Sequence, residues 1–358
     1  MNQTLPTAEE QLRFLQNLQR LLDEGVFVST YKFALLLALA DLAVEKGNVG
    51  AAPLRLTVWE IAEKFVGYYW RQVIEYPGST GDKEYLHFTT DGEAAIVRAV
   101  RESRSSFNGS LASARRDGES WSSLVRAVGT TVRIMPLWKL QTVRGGVHDF
   151  LYPNARSGDS VELRRGVAFC LRVFHSHVQN LVQGAWTRWV RRLARNAQLL
   201  GHTKELSEFL FGGEREKLDD YLPLLRFQQK DCCFYCSRSL QARGEVDHFV
   251  PWVRYPLDLG HNFVLACRQC NGDKNDLLAD VRHLEHWVER NRAEAQVMAA
   301  YFAEHGIAHD LGTTESVAQW AYGVVEATGG EVWVGRGHPL VALDATWRSQ
   351  FEEVTGKR

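Results

Sequence analysis

The densest chemistry in this sequence lies between Cys232 and Leu278. Cys233 and Cys236 form one CxxC pair and Cys267 and Cys270 a second, with 30 residues between the pairs. Four thiolates so placed can be gathered by one tetrahedral ion, and sulfur-only ligation with no open position is the pattern of structural zinc. Cys232 is the spare, because the two-residue spacing selects Cys233. Asp247 and His248 stand between the pairs, and Asn271 directly follows the second. A carboxylate and an amide oxygen suit a hard cation such as Mg²⁺ or Mn²⁺, which prefers oxygen ligands. His248 is then free for proton transfer. An imidazole with a pKa of about 6.5 keeps a usable neutral fraction at pH 7, as a general base requires.

The elements that must position these groups read as strand, loop, strand, helix. Residues 244–248 form a short strand, Pro251 forbids continued ladder pairing, and 262–266 form a second strand. A helix is expected to open at Asn271 and to carry Leu277 and Leu278. Consecutive strand residues face opposite sides of a sheet, so Asp247 and His248 share one site only if the strand ends there and the chain twists. His261 is read as a loop residue. Asn275, one helical turn beyond Asn271, is the alternative amide ligand.

In these residues the stretch 226–282 resembles the HNH, or ββα-metal, endonuclease family. The resemblance rests on Asp247-His248, Asn262 and the run from Cys267 to Lys274, framed by the cysteine pairs. It implies that Asp247 and Asn271 hold the catalytic metal, that His248 activates water, and that Asn262 pins the active-site loop by side-chain hydrogen bonds. Many members carry His where this chain has Asn271. Lys274 is read as facing either a phosphate or solvent. The implied substrate is double-stranded DNA, nicked by a monomer because one site cuts one strand. The implied settings are restriction, phage packaging, homing and anti-phage defence. With its large helical extension the chain is expected to be a bacterial defence nuclease of the Zorya-like, multi-gene kind, partnered by other proteins of its operon. Two other readings stay open: a non-catalytic zinc-dependent DNA-binding or docking ribbon, and an RNA nuclease.

The whole chain has 358 residues, 45% hydrophobic and 24% charged, the profile of a soluble globular protein of two or three domains. A formal net charge of −1 gives no global pull toward nucleic acid, so any such binding needs locally segregated cations. Residues 181–200 hold four Arg and no acidic residue. Arg188, Arg192 and Arg195 recur at helical spacing and are the backbone-binding candidates, while Trp186 and Trp189 share a face that can anchor the helix. No run of 18 apolar residues and no export signal is evident, and cysteines kept for metal fit a reducing compartment. A cytoplasmic protein with no membrane contact and no small-molecule cofactor is therefore expected.

The expected fold class is α+β, mostly helical, with the nuclease module in the C-terminal half. Its parts are a helical N-terminal domain over 1–150 for target recognition or partner binding, a helical connector with a basic face over 151–225, the module over 226–282, and a helical brace over 283–358. Capping boxes at Thr7 and Thr57 open helices, and 29–46 is apolar nearly all round, as the centre of a bundle should be. From 78 to 129 the texture turns to Gly, Ser and charge, with a helix near 94–104 followed by a loop-rich linker. Short strands or a small hairpin around Gly145-Gly146 are expected in 131–140 and 143–152. A long helix over 163–200 is expected to break near Gly184. Helices over 281–305, 316–327 and 343–351, with a strand at 332–334, complete the expectation.

Overall fold

The computed structural model describes residues 4–47, 50–76, 84–144, 146–154, 158–200, 206–212, 218–241 and 243–352. The chain divides into two compact units, Met1–Gly213 and Glu214–Arg358. Both contain helices and short two-stranded sheets, so the fold is α+β and mostly helical. Among the described residues no helix is long and apolar enough to cross a membrane.

The first unit is built around a buried helix. Helix α1 (Ala8–Glu24) opens with the capping box at Thr7, whose hydroxyl accepts from Glu10 N (3.2 Å) while the Glu10 carboxylate accepts from Thr7 N (2.8 Å). In α2 (Tyr31–Lys46) every residue from Tyr31 to Glu45 is buried, so neighbours must cover it on all sides. Strand β1 (Leu54–Thr57) leads into α3 (Val58–Gln72), again through a capping box at Thr57. Helices α4 (Ala95–Ser106), α5 (Leu111–Arg116), α6 (Gly118–Ile134) and α7 (Pro136–Lys139) follow. The loop-rich linker expected after 104 is thus corrected to helices from Leu111 onward, while 84–94 hold no helix or strand and 78–83 lie outside the described residues. Ser110 and Asp117 supply N-caps to α5 and α6 (3.1 Å each), and Leu124, Val125, Val128 and Val132 form a buried stripe along α6. That stripe also makes 131–134 helical rather than the expected strand.

The hairpin is present as β2 (Thr142–Val143) and β3 (Gly146–Val147), with Gly145 outside the described residues. Strand β4 (Ser160–Leu163) pairs with β1 from Leu54↔Leu163 to Thr57↔Ser160, a pairing across about a hundred residues that local pattern cannot reveal. Helices α8 (Val167–Val173) and α9 (His175–Arg192) are separated at Phe174, and α9 runs through Gly184 without a break. Short helices α10 (Ala197–Leu200) and α11 (Leu206–Phe211) end the unit. Trp186 of α9 is fully buried, 6.1 Å from the Phe33 ring and 5.6 Å from Tyr69. Residues 158–200 lie within the first unit, whereas a separate connector was expected over 151–225.

The second unit begins with α12 (Leu222–Gln229) and centres on β5 (Gly244–His248) and β6 (Phe263–Cys267), antiparallel from Gly244↔Cys267 to His248↔Phe263. Helix α13 (Arg268–Lys274) follows β6 directly, three residues earlier than expected. It ends at Lys274 because Asn275 turns the chain with φ 44°, so Leu277 and Leu278 lie beyond it. The single helix expected over 281–305 is two, α14 (Val281–Ala293) and α15 (Ala295–His305), parted at Glu294. Helix α16 (Leu311–Ala327), the hairpin β7 (Glu331–Val332) and β8 (Val341–Ala342), and a 3₁₀ turn over Ala345–Phe351 complete the unit. Its core joins module to brace: Phe249 stacks on Trp287 of α14 at 4.8 Å.

Candidate active site

The strand pair and α13 gather the four cysteines at one end. Their sulfurs all lie within 4.8 Å of one another, Cys236 and Cys267 at 3.9 Å. A tetrahedral ion bound at the zinc–sulfur distance of about 2.3 Å would set its sulfurs about 3.8 Å apart, so the cluster fits such an ion. Backbone N–H groups add support: Cys267 N donates to Cys233 Sγ (3.3 Å) and Cys270 N to Cys267 Sγ (3.4 Å). Burial, then the neighbouring sulfurs, push the Cys270 thiol far above its ordinary range. Four thiols so crowded require a cation before all can ionise. Cys232 stands apart, its Sγ 3.5 Å from Lys230 O.

The other end carries oxygen and nitrogen chemistry along β5. Glu245 and Asp247 share one face by the two-residue period, and α13 covers it. Asn271 Nδ2 donates to Glu245 Oε2 (2.9 Å), which leaves the amide oxygen as the atom Asn271 can offer a cation. Asp247 is 7% exposed; Tyr235 OH donates to its Oδ2 (2.6 Å) and Lys274 Nζ lies 3.1 Å from the same atom. The Lys274 amine also donates to His248 O (2.9 Å) and is fully buried. Burial pulls its pKa below the ordinary lysine value, with Asp247 pulling the other way.

His248 is the last residue of β5. Its Nε2 lies 2.7 Å from Asp258 Oδ1, both side chains are about nine-tenths buried, and Phe263 (4.6 Å) and Trp252 (5.6 Å) hold the ring. A carboxylate only accepts hydrogen bonds, so Nε2 carries the hydrogen in neutral His248 and Nδ1 carries the lone pair. Asn262 closes the loop between the strands. Its Oδ1 accepts from Val250 N (2.8 Å) and its Nδ2 donates to Val250 O (2.9 Å), while Phe249 N donates to Asn262 O (2.8 Å).

A family model for HNH endonucleases matches residues 233–277, the span that holds both clusters. A second family model, a domain of unknown function (DUF8808), matches residues 11–210, more than half of the chain. The chain belongs to the DUF8808 family. This DUF8808 member thus carries its family region in the first unit and an HNH endonuclease domain, the mark of a nuclease, in the second. Neither the curated proteins nor the solved structures contain a match to it.

The sequence-derived candidates fall into three groups. The four cysteines converge, and Asn262 makes the paired hydrogen bonds expected of a loop pin. Asp247 and His248 are the last two residues of β5, tied together through Lys274, and Asn271 reaches Glu245 on the same strand. Lys274 differs from its expectation: with its side chain enclosed and its amine bound to Asp247 and His248 O, it offers nothing to a phosphate or to solvent. Asn275 is exposed and off the helix. His261, read as a loop residue, is 1% exposed in a 3₁₀ turn, with no hydrogen-bond partner on either ring nitrogen.

In the first unit Arg188, Arg192 and Arg195 are exposed, but Arg195 lies past the end of α9 and donates to Gly92 O (2.8 Å). Three groups escaped sequence reasoning. Glu245 could have been found from its two-residue offset to Asp247, and Tyr235 lies inside the first CxxC pair. Nothing local marks Asp258, which reaches His248 across a loop of irregular shape.

Proposed function

We propose that the second unit is a metal-dependent DNA endonuclease whose cysteine cluster holds structural zinc. The observation that carries this reading is His248: a buried imidazole fixed through Nε2 by Asp258, at the end of the strand that bears Glu245 and Asp247, within the HNH-matched span. Asp247, Asn271 and Glu245 form an all-oxygen donor set that fits Mg²⁺ or Mn²⁺, with Asp247 and Asn271 as the proposed ligands. Held there, such an ion would stabilise the negative charge that develops on the scissile phosphate and the leaving 3′ oxygen. His248 Nδ1 takes the proton of the attacking water, and the Asp258 carboxylate stabilises the imidazolium that results. Lys274 and Tyr235 hold Asp247 in place, and Asn262 fixes the loop that delivers Asp258. One such cluster cuts one strand per encounter, so a monomer nicks.

Arg188, Arg192 and Arg195 supply phosphate contacts in this reading. Replacing all three with Gln should make the slope of log affinity against log salt shallower by up to roughly 2.7, at about 0.9 per phosphate; parallel slopes would remove them from the interface. The proposed setting is anti-phage defence with operon partners, and equal phage plating on cells carrying wild type or His248→Ala would contradict it. Substrate class is tested with supercoiled plasmid and structured RNA, each with Mg²⁺ or a chelator. Mg²⁺-dependent relaxed circles are the expected product. Cleavage of RNA alone would make the protein an RNA nuclease, and cleavage of neither would leave a non-catalytic ribbon.

A further inference from the structure

A cleft of about 480 Å³ opens beside the cysteine cluster, lined by groups from four separate segments of the second unit. The first knuckle supplies Tyr235 and Arg238, the start of α13 supplies Gln269, the start of α14 supplies Arg282 and His283, and the C-terminal arm supplies Arg336 and His338. No Asp or Glu lines it. Arg282 pairs with Asp280, its Nε 2.8 Å from Oδ2. Arg238 and Arg336 instead converge on one neutral atom, Gln269 Oε1, to which both donate. Two exposed guanidinium groups collected at a single amide oxygen repel each other, and an anion is what relieves that repulsion.

The arm that delivers Arg336 is built to hold it there. Trp333 is 2% exposed, donates from Nε1 to Asp273 Oδ2 (2.8 Å) and stacks on His283 (5.7 Å). Its backbone joins the module through Trp333 N to Leu278 O and Asp280 N to Trp333 O, both 2.8 Å. Arg336 then sits between Gly335 (φ 152°) and Gly337 (φ 78°), conformations that a side chain opposes. Tyr235 forms part of the cleft wall while its hydroxyl binds Asp247, so the cleft and the hydrolytic cluster share a side chain.

We propose that Arg238 and Arg336 grip a backbone phosphate of the nucleic-acid strand that the neighbouring cluster cuts. This rests on the endonuclease reading above and adds to it a substrate-holding surface made by the zinc knuckle and the C-terminal arm. The competing partner for the two guanidinium groups is the cysteine cluster itself, since four thiolates around one divalent ion carry a net charge of −2.

Binding of a fluorescent DNA duplex is measured at several salt concentrations with His248→Ala protein, so that nothing is cut, and with the same protein carrying Arg238→Gln and Arg336→Gln. Zinc content is measured on both. The expected result is weaker binding to every sequence, a salt slope shallower by up to roughly 1.8 at about 0.9 per phosphate, and unchanged zinc. The Arg238→Lys, Arg336→Lys pair keeps both charges and should keep most of the slope. Equal affinity and parallel slopes with zinc retained would overturn the proposal, and so would loss of zinc, which would assign the pair to the metal cluster. If the His248→Ala parent binds no DNA at all, the DNA endonuclease reading falls with it.

Discussion

The two ends of the β5–β6–α13 module hold their functional groups by different means. At the cysteine end the four sulfurs have a few backbone N–H donors and each other, and burial drives Cys270 toward the neutral thiol. At the acid–histidine end nearly every functional side chain has a protein partner: Asp247 has Tyr235 and Lys274, His248 has Asp258, Asn271 has Glu245, and Asn262 has both polar groups of Val250. The first arrangement is one that a cation would steady, whereas the second is held by the protein's own side chains. The stability of this unit should therefore depend on the soft-metal cluster and its chemistry on the other. Substitutions at the two ends should fail in different ways.

The largest effect is expected at the cysteine end. Structural zinc sites contribute an apparent binding energy of about 10–16 kcal/mol that is also folding energy. Cys236→Ser or Cys267→Ser should lose the metal and expose the second unit to limited proteolysis. Full zinc and wild-type protease resistance in either variant would break the comparison from this side. The next effect belongs to the other end, where Asp247→Ala should lower cleavage at least 10²-fold and leave zinc in place, in line with typical losses at catalytic groups. Excess Mg²⁺ or Mn²⁺ should restore part of that activity, but none of the activity lost in His248→Ala. Equal rescue of both would contradict the division between metal ligand and base.

What the sequence reveals differs between the ends for the same reason. CxxC pairs are local, so their spacing alone names the four cysteines that the fold gathers and passes over Cys232. Asp247-His248, Asn262 and Asn271 are legible as a motif, and the strand–loop–strand–helix order follows from Pro251 and the apolar run before Cys267. The groups that hold those residues are not legible, because Asp258, Glu245 and Tyr235 come from positions that only the folded module brings together. Lys274 is misread for a related reason: lysines are seldom fully buried, and only the Asp247 pairing makes this one tolerable. In the first unit, Ser, Gly and Arg hide α5 and α6 from a reading that weighs composition, although the caps at Ser110 and Asp117 and the valine stripe were present in the sequence. The β1–β4 pairing carries no local signal.

A smaller effect tests the loop that joins the two strands. His261 is 1% exposed, lies 5.3 Å from the Phe302 ring, and has its pKa lowered to about 4 by burial, with His309 and Arg290 adding to the shift. A histidine kept neutral in the folded state contributes fully above its unfolded pKa of about 6.5. Below that the unfolded chain takes up a proton that the folded one refuses. Stability of the second unit should thus fall between pH 6.5 and pH 4 by up to about 3 kcal/mol, at 1.36 kcal/mol per pH unit. His261→Phe should flatten that acid limb in denaturant titrations, and an unchanged limb would show that another group sets it.

The smallest effect sharpens the role of the partner beside His248. Asp258→Asn still offers an oxygen to His248 Nε2 and keeps the tautomer while losing the charge; Asp258→Leu loses both. Turnover should fall about tenfold in the first and about 10²-fold in the second with KM unchanged, because only the transition state contains the imidazolium. Identical kinetics in all three proteins would make Asp258 a packing residue.

The most direct test of two separable clusters is a paired measurement on single preparations of wild type and His248→Ala: zinc per chain by elemental analysis, and single-turnover nicking of supercoiled plasmid with Mg²⁺. The account predicts one zinc per chain in both proteins and a nicking rate at least 10²-fold lower in the variant. Undiminished nicking by His248→Ala, or loss of its zinc, would contradict it.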